Sequence, residues 1–260
     1  MHIKKYIQHF GILSAILLTT ACHNDFIPKD ENTPNEDNGS TPVRTVSVRI
    51  KAFQIEGENT SLPGENSVTD LQACLFEEGI LTNVYTQLSQ KDDQYTLQTD
   101  KEAGHLYFVG NTASQLDLQA LKEQGLTEEE WLKTTLGYAK EDTQASEFFS
   151  GMLDLGKNNE STLHTDLERG SARFDLSLPA NSSLQVKGIT FTQIAQRTFL
   201  FPQDPVASPE NTERTDKRVD FPEALSASTQ GVAYLYEQTG TDVKAQVNVV
   251  KKGKETTVES

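Results

Sequence analysis

The sequence predicts a mainly β protein, two β-sandwich domains with a short helical insertion in the first. Three observations carry this. Apolar and polar residues alternate along residues 45–53 (TVSVRIKAF), 171–178 (SARFDLSL) and 243–250, which puts one face of each stretch in a core. The stretches are mostly separated by short runs of turn formers, the spacing of sandwich folds. Only one segment, Thr127-Glu128-Glu129-Glu130, has a full helix-start signature: a threonine to accept from the Glu130 amide and a glutamate to reach back to it.

At the amino end, Lys4 and Lys5 precede an apolar run over residues 10–18 and a small-residue exit, Thr19-Thr20-Ala21. This is the layout of a secretory signal peptide, too short for a bilayer span of roughly 20 apolar residues. Cys22 comes next, and the arrangement resembles the lipobox of bacterial lipoproteins, with Thr19 where that pattern usually has leucine. Residues 1–21 are therefore expected to be removed and Cys22 to become a lipidated first residue. A single acyl chain binds a membrane only marginally, whereas several on one cysteine hold a protein there almost permanently. Residues 22–44 combine three prolines with Asp25, Asp30, Glu31, Glu36 and Asp37 and have little apolar surface to bury, so they read as a disordered tether.

The first domain is predicted over residues 45–180. In its opening strand Val46, Val48, Ile50 and Ala52 share one face and Ser47, Arg49 and Lys51 the other. Residues 57–66 (GENTSLPGEN) form a loop of turn residues. Residues 71–76 (LQACLF) read as a core strand, Glu77-Glu78-Gly79 as a turn, and 80–88 as the hairpin partner. Strands follow at 94–98 and 104–110 (GHLYFVG), then a weaker helix at 116–123 and the capped helix at Thr127, with Leu126 and Trp131 placed as a hydrophobic staple. Residues 148–155 and 171–178 return to strand. The run PANSS at 179–183 marks the boundary to a second domain over 181–260. There, 184–194, 231–237 and 243–250 are strands, and 201–222 is a charged loop with four prolines. The last strand read from the sequence ends at Val250, which leaves the second domain short of strands and apparently incomplete.

The formal net charge of −15 becomes −17 without the leader, which disfavours nucleic acid and anionic lipid as partners. With Cys22 lipidated, Cys74 has no intramolecular partner, and its apolar neighbours predict a buried, inert thiol. No HExxH, GxSxG, Walker, GxGxxG, EF-hand or CxxC pattern appears, so no catalytic residue, metal or cofactor is assigned. Of the five histidines, His2 and His9 leave with the leader, and His23, His105 and His164 have no second histidine at ligand spacing. Asp92-Asp93 reads as a turn, and Glu128 to Glu130 as the first turn of a helix, where negative charge suits the dipole. Tyr234, Tyr236 and Phe221 are candidates for a sugar-binding surface, although aromatic residues in strands ordinarily serve packing.

Taken in order, the pieces resemble the fimbrillin family of lipoprotein pilins, the subunits of type V pili. The resemblance rests on the lipobox, the acidic tether, TVSVRIKAF, the strand and acidic turn at 71–79, YFVGN at 107–111, FSGM at 149–152, LERGSARFDL at 167–176 and GVAYLYE at 231–237. It implies two transthyretin-like sandwiches and a surface fimbrium in which a protease removes the first strand and another subunit's strand takes its place. An incoming strand satisfies the amides and carbonyls of an open edge while alternate side chains fill core pockets. Val46, Val48, Ile50 and Ala52 would then be the core contacts of the self strand, and other fimbrial subunits the partners. Cleavage in such subunits follows an arginine after the first strand, whereas here Arg44 precedes that strand and Arg49 lies within it. Together with the absence of a terminal donor strand, this favours an accessory or anchor subunit over a stalk subunit. The competing expectation is a surface glycan-binding lipoprotein of a nutrient-uptake system, which would show exposed aromatics in a cleft at the loop end.

Overall fold

A computed structural model of the protein describes residues 43–52, 54–55, 58–59, 61–92, 94–137, 147–157, 159–239, 243–251 and 254–259. The leader, Cys22 and nearly all of the tether lie outside the described residues. Strand β1 (Arg44–Ile50) comes first, followed by a small hairpin of β2 (Gln54–Ile55) and β3 (Glu58–Asn59). Next are β4 (Leu71–Glu77), β5 (Ile80–Tyr85), β6 (Ser89–Lys91), β7 (Gln94–Thr99) and β8 (His105–Gly110). Helices α1 (Leu118–Glu123) and α2 (Glu128–Leu132) interrupt the strands before β9 (Thr135–Gly137), β10 (Phe149–Asp154), β11 (Thr162–Arg169) and β12 (Ser171–Leu176). The rest is β13 (Leu184–Ala195), β14 (Arg197–Phe199), β15 (Arg214–Leu225), β16 (Thr229–Tyr236), β17 (Lys244–Lys251) and β18 (Lys254–Glu259).

Local chemistry explains several of these elements. The β4–β5 hairpin turns through Glu78 and Gly79, both at positive φ (52° and 78°), the geometry of a two-residue turn that matches strand twist. Helix α2 has its capping box: Thr127 Oγ1 accepts from the Glu130 amide (3.3 Å), and Glu130 Oε2 accepts from the Thr127 amide (3.1 Å). Leu126 and Trp131 fall in one apolar cluster, as a staple requires.

Eight strands form a curled sheet in the order β5-β4-β8-β10-β11-β1-β7-β6. It doubles over at the contact of β10 with β11, which is short: Phe149 faces Arg169 and Ser150 faces Glu168. The two resulting layers enclose one core, with Val46, Val48, Leu97 and Leu163 from one layer against Ala73, Leu75, Leu106 and Phe108 from the other. Alternate residues of β4 and β8, namely Cys74, Phe76, Tyr107 and Val109, point the opposite way into a second core. This explains why LQACLF and LYFV read as continuous apolar runs: both of their faces are covered. Burial pushes the Cys74 thiol up to about 12, well out of the range of a reactive thiolate.

The second core joins the two halves of the molecule. Trp131 and Leu118 from the helices meet Leu200, Phe201 and Tyr236 from the C-terminal half. The ring of Phe201 lies 5.1 Å from Tyr107 and 5.5 Å from Trp131 between centroids, both edge-on. Beside it β14 pairs with β9, another contact across the halves.

In the C-terminal half a four-stranded sheet, β15-β13-β17-β18, packs on the two-stranded ribbon β12–β16 around a third core that includes Phe174, Phe191, Val232 and Val247. Two boundaries differ from the sequence reading. Of residues 171–178, counted above with the first domain, 171–176 pair with β16, and Phe174, Leu176 and Leu178 enter this third core. The apolar face of β12 matches either half equally well, and only its long-range partner decides between them. Strand β18 also follows the last strand read from the sequence and pairs along β17, Val249 facing Thr256. Its sequence, KETTVE, has one strongly apolar residue and so gives no alternation signal.

Candidate strand-docking site

The first strand does not lie at an edge. It runs between β11, to which it is parallel, and β7, to which it is antiparallel. Val46 faces Leu163 on one side and Leu97 on the other; Val48 faces Thr165 and Tyr95. Both valines are fully buried, each contributing about 1.5–3 kcal/mol of transfer free energy. Ile50 is half-buried against the same core, and Ala52 lies past the end of the strand. Ile50 and Ala52 line a cavity of about 400 Å³ with Asn66, Ser67, Val68, Gln90 and Tyr95.

Arg44 is the first residue of β1, not a residue ahead of it, and it is only 6% exposed. The guanidinium donates to the carbonyls of Leu155 (3.0 Å), Glu160 (3.2 Å) and Glu102 (3.4 Å). Arg49 is exposed, but its backbone is paired between Asp166 and Gln94. A protease binds its substrate as an extended, unpaired segment, so cutting at either arginine first requires β1 to come away from a neighbour.

The exit of β1 is held as firmly. The Lys51 amide donates to the Leu167 carbonyl (2.9 Å), and Lys51 Nζ meets the Glu168 carboxylate at 3.1 Å. Arg169 donates to the Lys51 carbonyl (2.9 Å), the Glu65 carbonyl (2.8 Å) and Asn66 Oδ1, and its guanidinium lies 5.1 Å from the centre of the Phe149 ring.

Glu65 belongs to the loop read above as plain turn residues, yet it is buried. Arg173 donates to both of its carboxylate oxygens (3.1 and 3.0 Å) and Tyr234 to one (2.6 Å). Arg173 also grips Asp175 through two nitrogens (3.0 and 3.1 Å), and Asp175 accepts from the Gly231 amide (2.8 Å). Burial works against the Arg173 charge, but the Asp175 and Glu65 carboxylates keep its pKa above the ordinary arginine value. Burial and the bond to Glu65 raise the Tyr234 hydroxyl in turn. Sequence reasoning missed this cluster. The available signal was Arg173 and Asp175 on the polar face of SARFDLSL, a face that needs a partner of its own if it is covered.

The other candidates fall into packing roles. Tyr236 is buried against Phe148 and donates to the Gly137 carbonyl (3.3 Å), and Phe221 packs on the third core. Among the described residues, the large hydrophobics that stand exposed are Val43, Ile80, Leu132, Met152 and Val206, with no aromatic among them. His105 sits between Glu128 (2.6 Å) and Asp154 (3.7 Å), and Tyr107 donates to the same Glu128 oxygen (2.6 Å), tying α2 to the sheet. Among the described residues no group of three or more His, Cys, Asp or Glu is placed to hold a metal ion, and no helix is long and apolar enough to cross a membrane.

No family model and no curated protein matches the sequence. Solved structures do match the fold. The tip fimbrial protein Mfa3 from Porphyromonas gingivalis, with a C-terminal truncation, superimposes with a TM-score of 0.56 at 11% identity, over 84% of this chain and 81% of that one. A fimbrial assembly protein from Parabacteroides distasonis gives a TM-score of 0.50 at 10% identity, over 84% and 85%. The chain therefore has the fold of these fimbrial proteins, with about one residue in ten identical.

Proposed function

We propose that the chain is a non-catalytic structural subunit of a cell-surface fimbrium, held to the outer membrane through lipid on Cys22 and joined to other subunits by β-strand complementation. The fold shared with fimbrial proteins over most of both chains carries this reading. The place of β1 supports it: a strand directly after the tether, bounded by β11 and β7, would leave a two-sided groove of unpaired amides and carbonyls if it were withdrawn. The alternating residues Val46, Val48 and Ile50 are what an incoming strand would have to match.

Shearing fimbriae from producing cells tests the assembly. The chain is expected to co-purify with the filaments and to cross-link to other subunits, and a chain found only as free monomer would refute the reading. Metabolic palmitate labelling tests the anchor, since label and membrane association should both disappear in Cys22→Ser.

A further inference from the structure

The contacts that hold the end of β1 also hold the loop that carries the chain back to β4. Arg169 spans the two, with the Lys51 carbonyl on one guanidinium nitrogen and the Glu65 carbonyl on another (2.9 and 2.8 Å). The Glu65 side chain faces the opposite way, into the C-terminal half, where Arg173 of β12 and Tyr234 of β16 hold it. The loop is seated there by shape as well. Gly231 of β16 is at φ +66°, and a Cβ at that position would lie 2.8 Å from Leu62 Cδ1, so the Leu62 side chain rests directly on the ribbon. Within the loop, the Leu62 amide donates to the Glu65 carboxylate and the Glu65 amide to the Leu62 carbonyl (3.1 Å), which makes residues 62–65 a single unit.

We propose that Glu65 couples occupancy of the β1 slot to the packing of the β12–β16 ribbon. With β1 in place, the Lys51 carbonyl and the Glu65 carbonyl fix the Arg169 fork, and the fork fixes the loop that presents the carboxylate. When β1 leaves, the fork loses its strand-side acceptor and the loop loses the segment leading into it, so Arg173 and Tyr234 lose a fixed partner in a buried site. Linkage makes the effect mutual: whatever loosens the ribbon also loosens β1. A vacated slot belongs to the strand-complementation reading above, whereas the coupling is read from this geometry and is tested with β1 in place.

Hydrogen exchange on the intact protein, read by mass spectrometry, tests it. In Glu65→Ala, amides of β1 and of β12–β16 should both exchange about tenfold faster, toward the lower end of the usual range for coupled sites. Amides of β4 and β8 around Leu75 and Phe108 should keep their wild-type rates. Faster exchange in only one of the two segments overturns the proposal, and so does equal acceleration throughout the chain, which would mean general loss of stability. If Glu65→Ala does not fold, Glu65→Gln keeps the shape and removes the charge. It must give the same two-segment pattern at smaller amplitude, and wild-type rates in either segment overturn the proposal there too.

Discussion

The two halves of the molecule meet the same requirement, covering the faces of β-sheets, in different ways. In the N-terminal half β4 and β8 carry apolar side chains on both faces, one set in the core between the layers and the other under the helices and Phe201. In the C-terminal half a single core lies between a four-stranded sheet and a two-stranded ribbon, and the long strand β15 keeps Asp216, Arg218 and Asp220 in solvent. Strands covered on both faces lose more apolar contacts per residue on opening. Stability should therefore be concentrated around β4 and β8, and the C-terminal half should depend more on the polar cluster at its junction.

The largest effect should come from truncation in the doubly covered sheet. Phe108→Ala should cost about 4 kcal/mol and Phe174→Ala in the ribbon about 3 kcal/mol by urea denaturation, and the contrast fails if the second cost equals or exceeds the first. Next comes the junction. Arg173→Met leaves Glu65 and Asp175 without their cation and should cost about 3 kcal/mol; a loss under about 1 kcal/mol would show the cluster behaving as a surface ion pair. Thr127→Ala removes one half of the α2 capping box and should cost about 1 kcal/mol, detectable as faster exchange confined to α2.

The most diagnostic effect is that of pH. Burial pushes the Glu147 carboxyl up to about 7, with Arg169 and Arg173 lowering it and Glu65 raising it. Between about 4.5, its value in the unfolded chain, and about 7, the folded form keeps a proton that the unfolded form has lost, so raising the pH across that window lowers stability. Melting temperatures at pH 5 and pH 8 should thus diverge in the wild type and move closer in Glu147→Gln. An unchanged gap would show that Glu147 does not set the pH dependence.

Much of this architecture was legible in the sequence because it is written locally. Alternation in TVSVRI placed Val46 and Val48 in a core, and TEEE announced the α2 cap residue by residue. What could not be read depends on partners far along the chain. Nothing in TVSVRI says that it runs parallel to residues 162–167, more than a hundred positions away. Nothing in SARFDL says that its partner is β16 and not a strand of the first half. Glu65 was hidden for the same reason: among Pro63, Gly64 and Asn66 it reads as a solvated turn residue, and only the Arg173 and Tyr234 contacts, 108 and 169 positions away, reveal a buried charge.

The position of β1 also has a mechanical consequence. Because it is hydrogen-bonded along its length to a parallel neighbour on one side and an antiparallel one on the other, tension on its amino end along the strand axis loads both ladders in shear. The bonds then share the load and must fail together, instead of opening one after another like a zip. Arg44, held by backbone carbonyls at the point where tension enters, takes the first of the strain. Pulled across its axis instead, the same strand would give up its bonds one at a time and at far lower force.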